Sequence, residues 1–114
     1  MSKAIFCDID GTILEYHKGL SDIVRGMDTW AHAGAAAKLC EWHKAGYMII
    51  LTTKRPESMR EVTVYALKEN GILYDQILFG IPTERHLIND YSDGQETAFV
   101  HNVDRSIGIR DLEI

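Results

Sequence analysis

Two carboxylates stand one residue apart at Asp8 and Asp10, at the end of the apolar run "AIFC". Alternation along an extended chain sends both to one side and Ile9 to the other, so they repel unless a cation joins them. Further along, "LTTKRP" (51–56) brings two hydroxyls, Thr52 and Thr53, and two cations, Lys54 and Arg55, to the end of a second apolar run. A third stretch, "RHLIND" (85–90), places Arg85 before a short apolar segment and Asn89 and Asp90 after it. Acids, hydroxyls and cations at the ends of separate apolar runs have the makings of a site for an anionic substrate.

These groups need strands to deliver them. Residues 3–8 read as a short buried strand, cut off by Asp-Ile-Asp-Gly. Residues 11–30, with Gly11, Gly19 and Gly26, read as a loop or small hairpin. Ala35, Leu39 and Trp42 recur at helical spacing, which predicts a helix over 32–45 with Gly46 at its C-terminal cap. "YMIILTT" (47–53) is apolar on both faces and reads as a central strand of a parallel sheet. A second helix fits 56–70, with Pro56 in its first turn or a capping box from Ser58 to Glu61. Its apolar face is Met59, Val62, Ala66 and Leu67, and Gly71 ends it. Shorter strands follow at 76–80, 86–89 and 97–103. Alternating strands and helices predict an α/β fold with a mainly parallel sheet of about five strands and helices on its faces. Ligands in such sheets bind beyond the carboxyl ends of the strands, where the residues above fall. About six residues separate the third strand from the fourth, too few for a helical crossover, so a truncated strand or an extended connector is expected there.

The chain has 114 residues, 46% of them hydrophobic and 25% charged, which predicts a single soluble domain over 1–114. No apolar run reaches the ~20 residues of a membrane span, and the N-terminus lacks the pattern of a signal peptide, so a cytoplasmic location is expected. The net charge is −5, with no basic block beyond Lys54 and Arg55. That argues against a nucleic-acid partner and leaves a small anion in a local cationic pocket. Cys7 and Cys40 have no metal-binding spacing and read as small hydrophobes. The five histidines lack it too; His17, just after the acid pair, reads first as a surface or packing residue and second as a substrate contact.

"DIDGT" (8–12) resembles the first motif of the haloacid dehalogenase superfamily of phosphotransferases. "IILTTKRP" (49–56) resembles its second motif and "HLIND" (86–90) its fourth, in the superfamily's order over about residues 1–103. The resemblance implies a Rossmann-like domain in which Asp8 is the nucleophile and Asp10 the acid and base. It implies Mg²⁺ held by Asp8, the carbonyl of Asp10 and Asp90, with Asn89 where many relatives carry another acid. Thr53 would bind the phosphoryl group, with Thr52 as the alternative. The lysine of the third motif is missing; Arg85 or Lys54 stands in for it. The gaps between motifs hold no cap domain. A capless member of this kind implies a phosphatase acting on a small phosphate monoester such as a sugar phosphate, assembled as a homo-oligomer. The C-terminal "RSIGIRDLEI" then offers apolar residues to a partner subunit. A competing class is a degenerate, non-catalytic module that binds a phosphorylated ligand or a protein.

Overall fold

The computed structural model describes residues 3–16, 30–91 and 93–114. His17 and most of the segment 11–30 lie outside the described residues. Three strands pair in parallel in the order β1-β2-β3: β1 is Lys3–Asp8, β2 is Tyr47–Thr52 and β3 is Gln76–Leu78. Two helices connect them, α1 (Ala35–Lys44) between β1 and β2, and α2 (Arg60–Glu69) between β2 and β3. A 3-10 turn, Glu57–Met59, leads into α2. Pro56 is the N-cap residue of that turn and not its first helical residue, Ser58 lies inside the turn, and the N-cap residues Gly34, Pro56 and Met59 make no side-chain cap bond.

The strand register decides what is buried. Cys7, Leu51 and Ile77 lie side by side on one face, and Phe6, Ile50 and Gln76 on the other. The first face carries the core. There Cys7, Ile49 and Leu51 join Leu39 and Trp42 of α1, Ala66 and Leu67 of α2, and Ile9, Ile13, Leu14 and Ile109 from the connecting segments. On the other face Phe6 is 56% exposed, and Met48 and Leu78 are also open. β1, expected as a buried strand, buries only Cys7.

The expected Rossmann-like sheet of about five strands with helices on both faces is therefore corrected. Among the described residues there are three parallel strands and two helices in a small domain. Residues 86–89 and 97–103 are not strands; Leu87, Ile88, Phe99 and Val100 face outward, Ile88 at 92% and Val100 at 81% exposure, while Val103 packs partly buried against the core. The physical reason lies just upstream. After β3, Gly80 N–H donates to the Arg55 carbonyl at 2.8 Å and Ile81 N–H to the Thr53 carbonyl at 2.9 Å. The connector is thus held beside the loop that follows β2. Beyond it, Asn89 Nδ2 donates to Thr97 Oγ1 at 3.1 Å, tying the segment to itself. High β propensity reports a fit to a pleated, half-buried surface, and none meets these residues.

The C-terminal segment packs on its own chain through Ile109 and leaves Ile107 and Ile114 exposed. Ile109 is buried in the core, and the backbone at Gly108 runs against Thr12 and His32. Among the described residues no helix is long and apolar enough to cross a membrane.

Candidate active site

β1 ends at Asp8 and the chain turns at once. The Ile9 carbonyl accepts from the N–H groups of Thr12, Ile13 and Leu14 at 3.2, 2.9 and 3.0 Å, and Gly11 N–H donates to the Leu14 carbonyl at 2.8 Å. Gly11 sits at φ +84°, a conformation that costs glycine little. Ile9, Ile13 and Leu14 are fully buried, so apolar packing anchors the turn that carries Asp10. Glu15 N–H donates to the Trp30 carbonyl and His32 N–H to the Ile13 carbonyl, an isolated antiparallel bridge around Leu14 and Ala31; the loop or hairpin expected between them lies mostly outside the described residues.

Asp8 and Thr52 are partners in the β1–β2 register and so share one face at one level. Arg85 joins them. Its Nη1 donates to Asp8 Oδ1 at 3.2 Å and to Thr52 Oγ1 at 3.0 Å. The rest of its guanidinium is braced on backbone: Nε donates to the Pro82 carbonyl at 2.9 Å and Nη2 to that of Ile81 at 3.4 Å. Burial pushes the Asp8 carboxyl above the usual aspartate range, and the neighbouring Arg85 charge pulls it part of the way back. Asp10 adds a smaller upward push.

Thr53, one residue on, turns the opposite way. Its Oγ1 accepts from the Arg55 N–H at 3.0 Å, and the side chain is buried. Lys54 is exposed. Arg55, expected beside Lys54 as a cation of the open site, is instead buried behind Asp10. Its side chain is 1% exposed and grips Asp10 with two bonds, Nε to Oδ2 at 2.9 Å and Nη2 to Oδ1 at 2.6 Å. Its Nη1 donates to Thr63 Oγ1 of α2 at 2.9 Å. One signal for it was present. Pro56 keeps the residue before it out of helical backbone, so Arg55 belongs to the extended exit from β2 and not to the solvated face of α2. Nothing in the spacing pointed to Thr63.

Asn89 and Asp90 do not join this group. Both are exposed, Asn89 Nδ2 is bound to Thr97, and the Asp90 carbonyl accepts from Thr97 Oγ1 at 3.3 Å. Among the described residues no three His, Cys, Asp or Glu side chains come together as a metal-binding group. The donors that suit Mg²⁺ by chemistry are the Asp8 carboxylate and the backbone carbonyl of Asp10, both hard oxygen ligands, since the Asp10 carboxylate is already held by Arg55. One protein carboxylate is an ordinary magnesium complement when substrate and water complete the shell.

A model of the family described as PITM 1-3, LNS2 domain matches residues 5–109. The chain belongs to the LNS2 domain family. This corrects the assignment that the motifs suggested, a capless phosphatase of the haloacid dehalogenase superfamily, because the model that covers nearly the whole chain is that of the LNS2 domain. The LNS2 family is phosphatase-like, which places the chain with the hydrolases at that coarse level. No curated protein matches the chain. Among solved structures, this LNS2 domain is similar to a chain of a Pnkp1/Rnl/Hen1 complex, with a TM-score of 0.60 and 23% identity over 75% of this chain and 30% of that one. A second structure, described as the Pnkp1/Rnl/Hen1 RNA repair complex, gives a TM-score of 0.59 and 23% identity over 84% of this chain and 28% of that one. A protein from Vibrio cholerae gives a TM-score of 0.56 and 22% identity over 79% of this chain and 81% of that one. The chain thus spans under a third of the two repair-complex chains. At these identities the likeness is one of fold.

Proposed function

We propose that this LNS2 domain is a magnesium-dependent phosphatase that hydrolyses a small phosphate monoester, such as a sugar phosphate, through an aspartyl-phosphate on Asp8. The observation that carries the reading is the Arg85 bridge. A carboxylate, a hydroxyl and a guanidinium meet at the C-terminal ends of two paired strands. Arg85 and Thr52 would hold the phosphoryl oxygens and keep Asp8 in line for attack on phosphorus. As the new P–O bond forms, the ester P–O bond breaks and Asp10 gives a proton to the leaving oxygen. In the second half Asp10 takes a proton from water, the water oxygen attacks phosphorus, and the aspartyl ester opens to inorganic phosphate. Lys54, exposed beyond β2, would meet an arriving anion. The Asp8 carboxylate and the backbone carbonyl of Asp10 would hold the Mg²⁺, which when bound supplies positive charge against the phosphate.

The test is phosphate release by the purified chain with Mg²⁺ from p-nitrophenyl phosphate, sugar phosphates, nucleotides and a phosphorylated oligoribonucleotide. The last is included because two of the similar structures come from assemblies with RNA-repair components, although the charge of −5 disfavours it. Turnover that needs Mg²⁺ and disappears in Asp8→Asn supports the reading. Absence of turnover across the panel defeats it. A second reading, a non-catalytic module that binds a phosphorylated ligand or protein, is favoured by one observation: Asp90 stays apart from Asp8 and Asp10. It is supported if inorganic phosphate binds saturably while no ester is turned over.

A further inference from the structure

We infer that Arg55 is a positioning residue for Asp10, and that Thr63 of α2 anchors it in that role; the inference rests on the phosphatase reading above. Four features of the geometry bear on it. The guanidinium meets Asp10 fork to fork, which fixes the plane of the carboxylate as well as its distance. The third side-chain nitrogen is bound by Thr63, itself fully buried, so the guanidinium cannot swing without breaking a bond to α2. The backbone of Arg55 is pinned at both ends, its N–H by Thr53 Oγ1 and its carbonyl by the Gly80 N–H. Lastly, the arrangement is one-sided. Arg55 is 1% exposed, whereas Asp10 is 24% exposed, so the carboxylate is held from the core and faces outward at the end of β1.

Burying a guanidinium is costly, and apolar residues of similar volume often hold a fold equally well. The same chain keeps a second cation, Arg85, half-exposed on Asp8. The two arginines thus divide the acid pair. Arg85 approaches Asp8 from the open side, where a phosphate arrives. Arg55 approaches Asp10 from behind, where no substrate reaches. A group in that place acts on the reaction only through Asp10. Lysine cannot copy it, since an ammonium is a point charge without the fork.

Steady-state kinetics on the full 114-residue chain test this, with p-nitrophenyl phosphate as the probe. Arg55→Lys is expected to lower kcat about 10- to 100-fold, in keeping with the cost of a misplaced catalytic group, while KM stays within about threefold. Thr63→Val is expected to lower kcat about three- to tenfold at unchanged KM, and Thr63→Ser, which keeps the hydroxyl, to restore it. A purely structural role would reduce the amount of folded enzyme and leave kcat per active site unchanged, so active sites are counted by the phosphoryl-enzyme burst. Unchanged kcat in Arg55→Lys, or Thr63→Ser no better than Thr63→Val, overturns the inference while wild-type turnover and its loss in Asp8→Asn leave the phosphatase reading standing. A wild-type chain without turnover overturns both.

Discussion

Gly108→Ala tests how the C-terminal segment is seated against the catalytic turn. Gly108 has φ +76°, and a Cβ built there would lie 2.5 Å from the Thr12 carbonyl oxygen and 2.7 Å from His32 Cδ2. Two costs follow if the segment stays in place. Left-handed backbone costs a residue with a Cβ about 1–2 kcal/mol. Forcing a methyl into a filled space costs about 1–3 kcal/mol more, and the main obstacle here is backbone that cannot rotate aside. The alternative is for the segment to lift away, which takes Ile109 out of the core at about 1.5–3 kcal/mol for a fully buried isoleucine. The chain takes the cheaper route, so the loss is about 2–3 kcal/mol, a large part of the ~5–15 kcal/mol that stabilises a typical domain. Urea unfolding followed by tryptophan fluorescence reads this as a midpoint lowered by about 1–1.5 M, for a slope of about 2 kcal/mol per M. Gly46→Ala is the control. Gly46 has φ +94° but nothing within 4 Å of its built Cβ, so only the backbone cost of about 1–2 kcal/mol applies. If Gly108→Ala costs no more than Gly46→Ala, the segment does not press on Thr12 and the reasoning fails.

Asp8→Asn bears on pH as well as activity. Because burial raises the Asp8 carboxyl in the folded state, that state binds the proton more tightly than the unfolded chain. Stability from this group is therefore full below the ordinary aspartate value near 3.9 and declines as pH rises through the raised value. Asp8→Asn should remove that decline, by at most about 1 kcal/mol since the side chain is 40% exposed, read from urea midpoints measured across the acid range. The two threonines should separate cleanly. Thr53→Val strands the buried Arg55 N–H and should cost about 1–3 kcal/mol in unfolding free energy, whereas Thr52→Val should change stability by under about 1 kcal/mol but lower phosphate release. Equal stability losses would contradict the assignment of their faces. Burial pushes the Cys7 thiol up to about 12, so an aromatic disulfide reagent at pH 8 should label at most one thiol, Cys40, before unfolding and two after it.

Local pattern and long-range pairing were not equally legible in the sequence. β2 could be read because "YMIIL" is apolar at successive positions, and it does lie between two parallel neighbours. The helices could be read within four residues of their ends, because Leu39 and Trp42, and Ala66 and Leu67, mark the faces that pack. Residues 86–89 and 97–103 have the same composition as strands but no surface to pair with. That depends on where Gly80 and Ile81 are held, on bonds to Arg55 and Thr53 that no periodicity encodes. In the site, the nearness of Asp8 and Asp10 was visible because both belong to one turn. Arg85 was a candidate cation for Asp8 only through the motif resemblance, and the pairing of Arg55 with Asp10 was not visible at all, since the two arginines reach their acids across 77 and 45 residues. Which threonine shares a face with Asp8 follows from a register that only the paired strands reveal.

Arg55 draws its partners from three separate parts of the chain: the turn after β1, the helix α2 and its own loop after β2. A guanidinium gives up its water only when every replacement acceptor is present. A partly formed chain with the sheet in place but α2 undocked would leave Arg55 Nη1 without the Thr63 hydroxyl that replaces its water. That state is penalised by the same group that completes the finished one. Arg55 thereby makes these three pieces cooperative: helix, turn and strand end lock together or come apart together, and Asp10 is set in its place only in the chain that has finished folding.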